Sequence, residues 1–458
     1  MAKHPQITTF NSPLEDAAAP LLPFVQPDSG GNDEHYLGLT MRTSEPFSFW
    51  PPQMMKDGRI DSMVALILAK KNHGKTALAK NMAVSMGAYS IGGVPFRITA
   101  DDHRRNNGVP EYEDLAAFYD SRPIKMDDRL NIFDPKFGLT LSEHMETAVD
   151  AYKHGNEGKQ LVRHQPFALQ AAIHKMFTQH EEDASIEVLV VLLLGIDKVD
   201  IQNYYDAVIT NILAKRLNAD VIPAGLIQEV EKSRDLSGIN WIDFKADATF
   251  VAQRFLRLLE GDFGKRFGSN NSIADAMAQD AVIIDQSGMN ERTTAFMQSF
   301  FWRIKKSGQL RRDARFMYHL EVHDENYKLW NYLSYAVAMS DYIKQIRAHP
   351  VFLVMLSHRR RDYYSVGEKG SRQRQLATNM FDDVSMWFYG RQDKKSAVEA
   401  GENHSLSTGD VAKLQTLKPG EWGVVIGNEQ MEFVQVPLTM QTAKLAASNA
   451  AVESMLNN

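Results

Sequence analysis

The chain has 458 residues, of which 44% are hydrophobic and 24% charged, with a formal net charge of −6 and no cysteine. That length accommodates two or three domains. The absent thiols exclude disulfides, thiolate metal sites and cysteine nucleophiles, and they fit a reducing compartment. The longest apolar run, Val188 to Ile196, is far short of the roughly 20 residues of a spanning helix, and the N-terminus lacks a secretory h-region. A cytoplasmic protein is expected, peripheral at the inner membrane only through partners.

Residues 1–35, rich in Pro, Ala, Asp and Gly, read as an N-terminal arm. Tyr36 to Pro52 is aromatic and punctuated by turns, consistent with a short strand or two. Met63 to Leu68 is continuously apolar, as a strand buried on both faces should be. Thr76 to Met86 has the apolar spacing of a helix and stops at Gly87. From Leu141 to Glu260 the pattern is mostly helical, with apolar residues at i, i+3 and i+4 over 204–217 and 249–260. Glu187 to Gly195 is expected to be helix rather than strand. Strands return at Ala281 to Ile284, Phe316 to Val322 and Val351 to Leu356, separated by helical Thr293 to Lys306 and Trp330 to Arg347. This alternation implies a parallel sheet with helices on both faces. Trp422 to Ile426 and Met431 to Val436 read as a hairpin around Gly427-Asn428, followed by an Ala-rich helical tail. The expected division is an arm (1–35), a first core half (36–140), a helical insertion (141–270), a second core half (271–438) and a tail (439–458).

Ala69-Lys70-Lys71-Asn72-His73-Gly74-Lys75-Thr76, entering a helix at Ala77, matches a phosphate-binding P-loop except that Ala69 replaces its first glycine. Backbone N–H groups of such a loop and of the helix start wrap the phosphates. Lys75 adds a point charge, and the Thr76 hydroxyl helps hold Mg²⁺. Gly74 permits close backbone approach. ATP and Mg²⁺ are the expected cofactors. Hydrolysis also needs an acidic strand end near the metal and a carboxylate that orients water. Asp197, Asp285 and Asp324 all end apolar runs, but only Asp324 is followed by Glu. Against it, Tyr318 to His323 alternates polar and apolar residues, whereas Asp285 follows a uniformly apolar strand.

Several segments together resemble the type IV secretion and conjugation ATPases of the HerA–FtsK superfamily. They are the P-loop behind Pro46-Phe47, Glu111-Tyr112-Glu113-Asp114-Leu115, Leu130-Asn131-Ile132-Phe133-Asp134-Pro135, Gly261 to Phe267, and Ala281 to Ser287. The resemblance assigns Asp285 to an earlier strand and Asp324-Glu325 to the Walker B strand. Asp324 would then serve the metal and Glu325 would polarise water. It further implies that Arg347 is an arginine finger acting on a neighbour's γ-phosphate, and that His358, where the family has Gln, is a γ-phosphate sensor. The implied fold is an α/β RecA-like P-loop NTPase core with a mostly parallel sheet and an inserted helical subdomain. The implied assembly is a homo-oligomeric ring, a hexamer, working on DNA or with a membrane secretion or conjugation complex. The larger secretion ATPases also carry a long N-terminal docking domain; with about 60 residues ahead of the P-loop in this sequence, docking through that domain is not expected.

Two other readings stay open from the sequence: a stand-alone double-stranded DNA translocase or packaging motor, and a nucleotide-binding subunit with little turnover. Without the resemblance, Arg347 reads as a helix C-terminal cation. Arg359-Arg360-Arg361 reads as a solvated loop or a phosphate contact, Asp101 to Arg105 as a mixed-charge loop, and Phe300-Phe301-Trp302 and Tyr363-Tyr364 as core or interface. No histidine spacing suggests zinc.

Overall fold

A computed structural model describes residues 36–87, 96–102, 111–124, 128, 130–156, 159–204, 206–207, 240–268, 277, 279–286, 289–307 and 318–437. The expected arm, the tail, Ser287, and residues 208–217 of the predicted helix lie outside them. Ten strands form one mixed sheet in the order β2-β1-β10-β9-β8-β3-β7-β6-β4-β5. They are β1 (Tyr36–Thr40), β2 (Pro46–Ser48), β3 (Val64–Leu68), β4 (Phe96–Asp102), β5 (Ala281–Asp285), β6 (Tyr318–Asp324), β7 (Val351–Ser357), β8 (Met386–Tyr389), β9 (Glu421–Ile426) and β10 (Glu432–Gln435). The run β8-β3-β7-β6-β4-β5 is parallel. The expected hairpin β9–β10 continues the sheet antiparallel through β1 to β2.

The helices that matter here are α1 (Lys75–Met86), α2 (Glu113–Phe118), α3 (Leu141–Gly155), α4 (Gln165–Gln179), α5 (Ile186–Gly195), α6 (Trp241–Glu260), α7 (Glu291–Ser307), α8 (Leu333–Gln345) and α9 (Lys394–His404). The run from Glu187 is helical, opened by the Ser185 side chain capping Val188 N–H. Helices α3 to α6 bury their apolar faces in a hydrophobic cluster that also takes Val282 and Ile284 of β5 and Phe300 of α7. The larger cluster lies around the central strands, where every residue of β3 and β7 is buried.

The alternating pattern of β6 does not put it at an edge. Strand β6 lies between β7 and β4, with His319, Glu321 and His323 all buried. The polar residues are tolerated because they meet partners. His323 Nδ1 contacts the Asp101 carboxylate, which also accepts from Gln298 Nε2 at 2.7 Å. Glu321 accepts from the Tyr342 hydroxyl at 2.8 Å and faces His323 Nε2 at 3.7 Å. Trp302 lies edge-on to His323. Asp101 and Asp102 therefore belong to a strand, which corrects the mixed-charge loop expected there; of that stretch, residues 103–105 lie outside the described part. Strand β8, only four residues of Met, Trp, Phe and Tyr, was not visible in the sequence pattern.

Burial alone would depress the basicity of His323, but the Asp101 and Glu321 carboxylates outweigh it and raise the pKa to about 9. The imidazolium's contribution to stability is fully present below pH 6.5 and is lost as pH rises through 9. We expect the thermal midpoint to fall across that window. Asp101→Ala, which strands a buried cation, should cost about 3–5 kcal/mol at pH 7. An unchanged midpoint in the variant would contradict the ion pair.

Candidate nucleotide-binding site

The P-loop follows β3 and enters α1. Asn72 and Gly74 both adopt left-handed backbone, at φ 62° and 91°, which bends the loop sharply before the helix. Gly74 is the N-cap of α1 and no side chain caps the helix start, leaving first-turn N–H groups available to an anion. Ala69, in the position of a glycine, is not among the left-handed residues, so its Cβ carries no backbone strain. Lys70, Lys71 and Asn72 are exposed. His73 is tucked beneath the loop, 4% exposed, edge-on to Trp422 of β9, and burial lowers its pKa.

The carboxyl end of β8 braces this loop. A Cβ on Gly390 would come within 2.3 Å of His73 Cδ2 and 2.7 Å of Ala69 Cβ, so only glycine lets the strand approach so closely. Gln392 Nε2 donates to the carbonyls of Leu68 (2.8 Å) and Gly390 (3.0 Å), and Lys70 N–H donates to Arg391 O. The sequence reading missed Gly390 and Gln392, because nothing in a linear pattern marks a strand end that meets a loop over 300 residues away.

Strand order brings the chemistry together. Because β7 lies between β3 and β6, its last residues stand between the P-loop and the acidic pair. Lys75, 8% exposed, donates to Ala69 O at 3.2 Å and to His358 Nδ1 at 3.0 Å. An ammonium can only donate, so Nδ1 accepts and the proton of the neutral ring sits on Nε2. Nε2 lies 2.9 Å from Glu325 Oε1, and the other oxygen of Glu325 meets Lys328 Nζ at 3.4 Å. The Thr76 hydroxyl donates to Asp324 Oδ2 at 3.4 Å. Lys75, Thr76, Asp324, Glu325 and His358 thus form one group, whereas Asp285 ends the outermost strand, β5.

The two acidic neighbours differ electrostatically. Burial, followed by the neighbouring Glu111 carboxylate, holds the Asp324 pKa up at about 7 against the pull of Lys75. The hydrogen bond from His358 and the charge of Lys328 bring Glu325 down to about 2 despite partial burial. Lys75 itself is lowered by burial, with Asp324 and Glu325 acting against that. Glu325 also sits in left-handed backbone at φ 48°, a conformation that non-glycine residues hold at some cost and that clusters at functional sites. The set of a hydroxyl and carboxylates suits Mg²⁺, which takes one or two protein carboxylates and completes its shell with substrate phosphates and water. Thr76 and Asp324 would hold it.

Arg347 lies elsewhere. It follows α8, ahead of β7, is 54% exposed, and faces Asp383 at 3.9 Å. The seven residues of β7 separate it from the P-loop end by about 20 Å at the usual strand rise, so it cannot serve its own Lys75. The arginine run is not a free loop: Arg359 meets Asp393 and Arg361 meets Glu399, each at 3.5 Å, and Arg360 lies over the Phe381 ring.

No family model and no curated protein matches the chain. Among solved structures, VirB4 of Thermoanaerobacter pseudethanolicus matches 90% of this chain and 98% of its own, with a TM-score of 0.59 at 16% identity. Plasmid coupling protein TrwB in complex with the non-hydrolysable GTP analogue GDPNP matches 89% of this chain and 90% of its own, with a TM-score of 0.48 at 12% identity. TrwB in complex with ADP and Mg²⁺ matches 83% and 87%, with a TM-score of 0.46 at 11% identity. The motif resemblance therefore has a structural counterpart: the fold is that of VirB4, a RecA-like P-loop core.

Gly390→Ala should lower nucleotide affinity at least about tenfold, since a 2.7 Å approach to Ala69 must displace the loop; titration with a fluorescent ATP analogue measures it. Asp324→Asn should stabilise the nucleotide-free protein. The raised pKa opposes folding increasingly from pH 4 to pH 7, so the gain in thermal midpoint should be large at pH 8 and nearly absent at pH 4. A gain independent of pH would argue against a buried carboxylate as its source.

Proposed function

We propose that this protein is a ring-forming ATPase that couples ATP hydrolysis to conjugative DNA transfer or type IV secretion. The observation that carries the reading is that Lys75, Thr76, Asp324, Glu325 and His358, carried by three strand ends, meet in one hydrogen-bonded group. The VirB4-like fold across nine-tenths of the chain supports it.

Bound ATP and Mg²⁺ would supply the phosphoanhydride and its charge neutralisation. The chain's own residues divide the remaining work. The α1 amides and Lys75 bind phosphate oxygens, and Thr76 and Asp324 hold the cation. Glu325 accepts a hydrogen bond from the attacking water and aligns it. His358 already bridges Lys75 and Glu325, so a γ-phosphate that recruits its Nε2–H frees the Glu325 carboxylate for water. Histidine can play the part of the family's glutamine here because one ring nitrogen accepts while the other donates.

Arg347 would complete a neighbour's site. It lies at the amino end of β7 while the P-loop lies at the carboxyl end of β3, so subunits stacked head to tail would bring one end to the other.

Lys75→Ala should abolish ATP turnover, and Glu325→Gln should lower it about 10²- to 10⁴-fold while preserving nucleotide binding. Arg347→Ala should lose about 10³-fold or more. Steady-state hydrolysis by the parent should rise per subunit with protein concentration. Mixing the Lys75→Ala and Arg347→Ala proteins should restore part of the activity, because a mixed contact pairs an intact P-loop with an intact finger. If mixing recovers nothing, the trans assignment of Arg347 fails. DNA stimulation would point to translocation, and indifference to DNA to an energiser of secretion.

A further inference from the structure

Asn326 follows Glu325 directly and opens the short turn Asn326–Asn331 beyond β6. It is 1% exposed, and both ends of its amide are engaged by buried tyrosines. The Tyr363 hydroxyl donates to Asn326 Oδ1 at 2.9 Å, and Nδ2 donates to the Tyr335 hydroxyl of α8 at 3.4 Å. Both tyrosines are fully buried, and Trp330 lies edge-on to each ring. An amide so far from water is costly unless its partners are fixed, and here packed aromatic rings fix them.

Tyr363 belongs to the segment that carries His358. In it the Asp362 carboxylate accepts from the Ser357 hydroxyl and from Arg359 N–H, each at 2.9 Å. The residues on either side of His358 are thereby held to the neighbour of Tyr363. Glu325 N–H donates to Leu356 O at 3.0 Å, which ties the acidic strand end to β7. The contacts close a ring: Glu325 meets His358 at 2.9 Å, while the next residue, Asn326, meets Tyr363 just beyond the sensor loop. The left-handed backbone of Glu325, at φ 48°, persists only where its surroundings over-determine it, and the Asn326 amide supplies a constraint immediately after it.

We infer that Asn326 is a positioning residue for Glu325. Its bond to Tyr363 ties the acidic strand end to the sensor segment and sets where the Glu325 carboxylate lies relative to His358 and to the water it aligns. The inference rests on the ATPase reading above and extends it to two residues, Asn326 and Tyr363, too deeply buried to meet the nucleotide themselves.

The test measures kcat, KM and nucleotide affinity of the full chain. Tyr363→Phe removes one hydroxyl and leaves the ring packing in place. It should lower kcat roughly ten- to a hundredfold, the scale of cost of a displaced catalytic group, while KM and the affinity for a fluorescent ATP analogue stay as in the parent. Tyr335→Phe, which removes the longer bond, should cost less. The decisive comparison is made in the Glu325→Gln background. There Tyr363→Phe should cost nothing further, because the group it positions has already lost its function. A loss of the same size in both backgrounds, or a fall in affinity equal to the fall in kcat, would overturn the assignment and mark the pair as general supports of the fold. So would a Tyr363→Phe protein with the kcat of the parent. If the parent and Glu325→Gln hydrolyse ATP at the same rate, the catalytic reading of Glu325 itself fails and the inference falls with it, an outcome distinct from failure at Asn326.

Discussion

The carboxyl end of this sheet is organised by one buried ammonium. Lys75 is almost removed from water, and a cation in that position is tolerable only where fixed acceptors and negative charge surround it. Ala69 O and His358 Nδ1 supply the acceptors, while Asp324, Glu325 and Glu111 supply the charge. These counter-charges are in turn perturbed by their own surroundings. Asp324 is deprived of water and crowded by a second carboxyl, whereas Glu325 is stabilised as an anion by His358 and Lys328. Two adjacent carboxylates thereby acquire opposite characters, a device by which one strand end can both bind a cation and orient water.

Holding that arrangement requires a rigid floor. Central parallel strands are usually apolar throughout, and β3 and β7 obey this. Strand β6 departs from it, burying two histidines and a glutamate. The departure is affordable because Asp101, Gln298 and Tyr342 complete a buried polar network that spans β4, β6, α7 and α8. Such a network fixes a unique register more strictly than apolar packing does. It lies directly beneath Asp324 and reaches, through Tyr342, the helix that ends ahead of Arg347. On the other side of β3, Gly390 and Gln392 do comparable work for the P-loop, one by absence of a side chain and the other by two hydrogen bonds.

Much of this was legible in the linear chain because its signals are local. A buried strand, a Gly-Lys-Thr turn and a helix are contiguous, so the P-loop could be read from residues 63 to 86. Asp324-Glu325 was ambiguous on local pattern. The objection to it, an alternating strand, dissolves only when Asp101 and Tyr342 are seen to satisfy the polar positions. Asp101 itself read as part of a loop, since charged residues at a strand end resemble solvated ones until their partners are known. The influence of the Glu111 charge on Asp324 was equally invisible, because it joins residues more than 200 positions apart.

By itself, the sequence determined the P-loop segment, its helix and most core strands, because each depends on short-range periodicity and on the stereochemistry of neighbouring residues. Only the tertiary structure decided that β7 separates β3 from β6. That order sets His358 between Lys75 and Glu325 and leaves Arg347 at the far end of the sheet. The reason is physical. Strand order follows from how non-local apolar faces pack and how buried charges find partners, and neither quantity is carried by any contiguous stretch of chain.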